Sequence, residues 1–201
     1  MIKTLAVFLL VSTAVILAAC QPSAPTPAPA PTLVSPTAPA PAASWKPDGK
    51  ISDGEYTGVF KSGEYELHWT NDNESIYIGM KAKTTGWVAM AVQPGSLMKD
   101  ADMVLGFVKD GQTVIYDLFS PGDFGPHPPD TEQGGKNDIL EFGGGEEGGF
   151  TTIEFKRALD TGDKYDKPLA SGKNKIIWAY GSTDDFTRQH SNRGYGEITL
   201  L

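Results

Sequence analysis

The chain has 201 residues, a formal charge of −8 and a single cysteine. An acidic balance with no basic run argues against a nucleic-acid-binding surface and suits a positively charged partner. One cysteine excludes an internal disulfide, a Cys-based zinc or iron–sulfur site and a CxxCH attachment motif.

In chain order, residues 1–19 read as a processing signal: Lys3 supplies the positive start, Leu5 to Leu17 is almost wholly apolar, and Leu17-Ala18-Ala19-Cys20 closes it with small residues. The apolar run is short of the roughly 20 residues a membrane span needs. The junction resembles the lipobox of bacterial lipoproteins, which implies cleavage before Cys20, acylation of that residue and a membrane-anchored, extracytoplasmic protein. Gln21 in place of Asp is compatible with outer-membrane delivery. The alternative is an ordinary signal peptide with an incidental cysteine. Residues 20–44 collapse to Pro, Ala, Ser and Thr without charge, the composition of a disordered, partly polyproline-II tether. At about 3.1 Å per residue it would hold a domain several tens of ångströms from a bilayer.

Residues 45–201 then form one domain. Short runs of β-branched and aromatic residues recur between Gly, Asp, Asn and Pro: 65–70, 75–82, 86–92, 102–108, 113–119, 150–157, 174–181 and 196–201. Strands at this spacing predict an all-β, antiparallel, immunoglobulin-like β-sandwich or barrel. Asn71-Asp72-Asn73 and Lys109-Asp110-Gly111 are natural hairpin corners. In GWVAMAV both faces are apolar, Trp87, Ala89 and Ala91 opposite Val88, Met90 and Val92, as in a strand buried on both sides or packed on a ligand. Residues 120–149 read as a long Gly-, Pro- and Asp-rich loop with one apolar break at 139–142.

Of three histidines, His68 sits in YELHWT beside Glu66 on one face and reads as a hydrogen-bonded strand residue. His127, in the stiff Pro-flanked GPHPPD, could rim a pocket but reads as exposed loop chemistry. His190 lies in the strand-end loop before the last strand, where binding residues sit on a rigid scaffold. Of five methionines, Met80, Met90 and Met103 lie within strands and fit core filling. Met98 lies among polar and turn residues in QPGSLMKDAD, where core filling does not explain it. A thioether and an imidazole are a possible iron ligand pair.

Other signals are weaker. GGGEEG at 143–148 matches GxGxxG, but the FTTIEF run after it is strand-like rather than helical. Asp117, Asp123 and Asp130 are candidate calcium ligands without EF-hand spacing. No GxSxG nucleophile motif is present. A metal-handling role for His127 and nearby acids, and a carbohydrate-binding module stacking sugars on Trp45, Trp87 or Tyr195, also stay open.

The sequence GW followed by M-x-x-AD, and the late W-A-x-G with H-S-x-R-G, resemble a DOMON domain from about Ile51 to the C-terminus. Its haem-binding branch includes the cytochrome domain of cellobiose dehydrogenase, and other members bind sugars or further ligands without haem. The resemblance implies noncovalent haem b with Met98 and His190 as axial ligands, and one-electron transfer to or from a redox partner protein rather than an enzyme in its own right. The other imidazole nitrogen of His190 is then expected to meet an acceptor, Asp184, Asp185 or a backbone carbonyl.

Overall fold

The computed structural model describes residues 45–201; the expected signal, Cys20 and the tether over 1–44 lie outside the described residues. Ten strands run in order: β1 Gly58–Ser62, β2 Tyr65–Asn71, β3 Ser75–Ala82, β4 Val88–Val92, β5 Asp102–Lys109, β6 Gln112–Phe119, β7 Ile139–Glu147, β8 Phe150–Ala158, β9 Gly172–Tyr180 and β10 Asn192–Leu200. They form two antiparallel five-stranded sheets, β1-β2-β3-β8-β7 and β10-β9-β4-β5-β6, the predicted sandwich. Among the described residues one 3-10 helix, Asp130–Gln133, interrupts the β structure, and no helix there is long and apolar enough to cross a membrane.

Period-two alternation places the core. Leu67, Ile76, Ile78, Met80, Val88, Met90, Ile153, Phe155, Ile176 and Trp178 meet between the sheets in one buried cluster. Tyr65 of the first sheet stacks on Trp178 of the second at 4.8 Å, and its buried hydroxyl donates to the Ala89 carbonyl oxygen at 3.1 Å. That bond satisfies a polar atom that burial would otherwise leave without a partner. At the expected corner Lys109–Gln112, Asp110 and Gly111 both take positive φ (51° and 73°), the geometry of a two-residue hairpin turn.

Two strands differ from the sequence expectation. β1 is a short edge strand. β7 runs through the region read as loop, pairing with β8 across a register shift between Ile139 and Glu141. Glycine-rich segments score poorly as strands, but here the glycines admit a second backbone. A Cβ on Gly143 would lie 1.7 Å from the Pro47 carbonyl oxygen, and one on Gly49 2.4 Å from Gly145 N. The crossing segment is tied down by Glu154, whose Oε2 accepts the Gly49 and Lys50 amides at 2.7 and 3.2 Å while Oε1 accepts the Tyr56 hydroxyl at 2.7 Å.

Candidate cofactor cavity

The site lies on the outer face of the second sheet, outside the sandwich core. Most residues alternating with the core positions of β4 and β9 are small: Ala89 pairs directly with Ala179, and Ala91 lies opposite the larger Ile177. Larger apolar side chains flank them, Trp87, Met103, Leu105, Phe107 and Leu118 forming a second buried cluster with Met98, Tyr116 and Phe186 packed against it. A low floor between high walls leaves a cavity of about 960 Å³, at the upper end of the range for small-molecule sites.

Three loops build the walls. The β4–β5 loop carries Met98, half-buried against the outer cluster. Three non-glycine residues there, Gln93, Leu97 and Asp100, have φ of 48°, 47° and 60°, each costing roughly 1–2 kcal/mol. The loop is held closed by Gly95 N–H to Lys99 O at 2.7 Å and Ala101 N–H to Met98 O at 3.1 Å. Left-handed backbone beside a cavity-facing side chain is the kind of outlier from which function is inferred.

The β6–β7 loop carries Phe124 and His127, and Ser96 Oγ donates to Asp123 Oδ1 at 2.5 Å, joining it to the Met98 loop. The β9–β10 loop carries Phe186, Arg188 and His190. Its approach depends on glycine. A Cβ on Gly86 would meet Thr183 N at 2.3 Å, and one on Gly181 would meet the Trp87 indole at the same distance. The Gly-Trp pair and the Tyr-Gly end of β9 thus let the loop pass directly over β4.

Both imidazoles of the cavity are biased toward the neutral form. Burial, then the Arg193 charge, hold His190 below the ordinary imidazole value. Burial and then His190 do the same for His127. A neutral imidazole keeps the lone pair a metal requires. Arg193 Nη1 donates to His190 Nε2 at 3.3 Å, and the buried Nδ1 of His127 has no partner.

Residues 61–181 match the family model of the DOMON domain. This chain belongs to the DOMON family. Among curated relatives it is 32% identical over 143 residues to DBH-like monooxygenase protein 1 of Mus musculus and 31% identical over 144 residues to that of Homo sapiens, covering 69% of this chain in each case. The aligned part spans only 22% of either relative. Among solved structures, the cytochrome domain of Myriococcum thermophilum cellobiose dehydrogenase matches at 12% identity with a TM-score of 0.52, covering 72% of this chain and 81% of that one, a likeness of fold.

Within this DOMON domain, Met98 and His190 line the same cavity, as do Trp87 and Tyr195. His127 joins them: the prolines on either side do not expose it but turn it half-buried toward the cavity. Met103, expected in the core, belongs to the outer cluster and lines the cavity because its strand is apolar on both faces. Trp45 is elsewhere, edge-on to Tyr77 at 5.0 Å with its Nε1 donating to Tyr56. His68 bonds Glu66 at 2.9 Å, as its strand face predicts. Asp185 accepts from Thr187 and Arg188, while Asp184 Oδ1 is buried without a partner. The Trp87, Ala89 and Ala91 face that the sequence offered to a ligand is the cavity floor; Arg193, the R of H-S-x-R-G, is a cavity residue the sequence did not single out.

Proposed function

We propose that this DOMON domain is an extracytoplasmic b-type cytochrome module, with haem b in the outer-face cavity, Met98 and His190 as axial ligands, and single electrons passed to or from a redox partner protein. Cys20 would anchor it to a membrane by lipid. The observation that carries this reading is that a thioether and a neutral imidazole from two separate loops line one apolar cavity. The residues fit the group. The alanine floor offers a flat apolar surface to a macrocycle, and Arg188 and Arg193 stand among the lining residues to pair with its carboxylates. When bound, haem with both axial positions filled supplies a one-electron couple without an open site for oxygen.

The protein's own part is to bind, orient and shield. Trp87, Met103, Leu105 and Phe186 exclude water from the floor. Arg193 Nη1 donates to His190 Nε2; were that nitrogen to bind iron, the guanidinium would turn to a haem carboxylate instead. Hemin added to the purified protein is expected to give a low-spin spectrum with a Soret band and sharp reduced α and β bands. Met98→Ala or His190→Ala is expected to convert it to high spin, and His127→Ala to leave it unchanged. A protein that stays colourless with hemin overturns the reading; a low-spin spectrum that survives Met98→Ala and is lost in His127→Ala reassigns the second ligand.

A second reading, a haem-free module for carbohydrate or another small ligand, is favoured by Tyr195 and Phe124. They line the cavity with 62% and 70% of their surfaces exposed, as stacking residues would be. Saccharide binding by calorimetry that is insensitive to His190→Ala would select it.

A further inference from the structure

The loop that brings His190 to the cavity, residues 181–191, is fastened to the rest of the domain at its first residues. Further along it bonds to its own neighbours: Asp185 accepts from Thr187 and Arg188, the Arg188 amide donates back to the Asp185 carbonyl oxygen at 3.1 Å, and Arg193 meets His190. The tip otherwise touches the sheet through Phe186, whose ring lies 4.5 Å from that of Tyr116. That contact has little directional force.

Three hydrogen bonds among the described residues make the fastening. Gly181 N–H donates to the Trp87 carbonyl oxygen at 2.9 Å, and Trp87 N–H donates to that of Thr183 at 3.1 Å. The third comes from a side chain: Thr84 Oγ1 donates to the Gly181 carbonyl oxygen at 2.6 Å. The same oxygen accepts the Gly86 amide at 3.1 Å, so one hydroxyl serves both chain segments where they cross. Thr84 is held in turn from the opposite sheet. Its carbonyl oxygen accepts the hydroxyl of Thr151, a fully buried residue of β8, at 3.0 Å. A line of contacts therefore runs from the first sheet through Thr84 into the root of the His190 loop.

The crossing leaves one depth of approach, because a Cβ on Gly86 would already meet Thr183 N at 2.3 Å. Without the hydroxyl, the Gly181 carbonyl and the Gly86 amide lose their partner and must turn to find another. Either rotation carries residues 182–190 with it. The Met98 loop has no such dependence: it closes on itself and exchanges main-chain bonds with Ser120, from Asp100 N at 2.8 Å and to Ala101 O at 3.0 Å.

We propose that Thr84 is a positioning residue for His190, its hydroxyl setting the pitch of the β9–β10 loop and so the place of the imidazole in the cavity. The inference rests on the reading of His190 as a haem ligand. A coordinate bond has a fixed length and direction, and losing the support behind a ligand costs about 10–100-fold in affinity.

The test compares two variants of the full chain: Thr84→Val, which keeps the shape and removes the hydroxyl, and Thr84→Ser, which keeps the hydroxyl. In haem-free protein, hydrogen exchange is expected to run roughly fivefold or more faster over 182–190 in Thr84→Val. Exchange over 93–101 should stay as in the wild type, and Thr84→Ser should match the wild type throughout. With hemin, Thr84→Val is expected to bind about 10–100-fold more weakly and to shift toward high spin, and added imidazole to restore the low-spin spectrum in place of the displaced His190. Exchange that is unchanged over 182–190 or rises equally in both loops overturns the proposal, as does Thr84→Ser behaving like Thr84→Val. So does a freed loop with wild-type hemin affinity and spin state. A wild type that takes no hemin overturns the haem reading instead, and the exchange result then decides whether Thr84 holds the loop. Should Thr84→Val fail to fold, Thr84→Ala carries the same expectations.

Discussion

On the inner face of β4 and β9, Val88, Met90, Val92, Ile176 and Trp178 fill the space between the sheets; one residue along each strand, Ala89, Ala91 and Ala179 leave the outer face low. The same strands thus carry one surface that is complete without a partner and one that is not. The inner face is closed by bulk. The outer face borrows its enclosure from loops, one of them held in left-handed backbone and another threaded over glycine. An alternating strand can therefore serve stability with one set of side chains and binding with the other.

The sharpest way to break this comparison is to trade volumes across it. Ile176→Ala, on the inner face, is expected to cost about 2–5 kcal/mol of unfolding free energy in urea. Ala179→Leu, three residues on and facing out, should change that free energy by less than about 1 kcal/mol and abolish hemin uptake by filling the floor. Equal destabilisation by both would mean that the outer face is core after all.

A pH measurement sharpens the same division, because Glu154 belongs to the scaffold. Burial pushes its carboxyl up to about 7, against the opposing hydrogen bonds from Tyr56 and Gly49. The folded value lies above the ordinary 4.5, so the folded chain holds this proton more tightly than the unfolded one. The resulting stability is full below pH 4.5 and is lost as pH rises through about 7. Between those limits the wild-type melting midpoint should fall more steeply than that of Glu154→Gln, which can keep the contacts to Gly49 and Tyr56 without titrating. The smallest effect is expected at the rim: Phe124→Ser should leave stability within about 0.5 kcal/mol and speed ligand dissociation.

The sandwich and most of its strands could be read from the sequence, because alternation and turn residues are local signals. β7 could not, since its glycines answer to Pro47 and Gly49, nearly a hundred residues away in sequence. Met98 and His190 stood out because a loop methionine and a strand-end histidine lack a packing explanation, and the DOMON resemblance joined them. His127 was left open between pocket rim and exposed loop, because its prolines mark a turn but give no direction for the side chain. Asp117 and Asp130 could be picked out as acids at or near the β6–β7 loop, whereas Asp102 and Asp166 come within 4.8 Å of Asp117 only through the meeting of β5, β6 and the segment after β8. Asp123, grouped with them by composition, instead accepts Ser96 at the cavity wall.

The position of the cavity also sets an order of assembly. A cofactor clamped between two sheets must be present while they close, but one seated on the outer face of a finished sheet can arrive afterwards. The hydrophobic cluster between the sheets, the Tyr65–Trp178 stack and the Glu154 ties are complete without it. If haem is its ligand, as proposed, such a domain would be matured in two separate steps, chain first and pigment second, and could be emptied and refilled without unfolding.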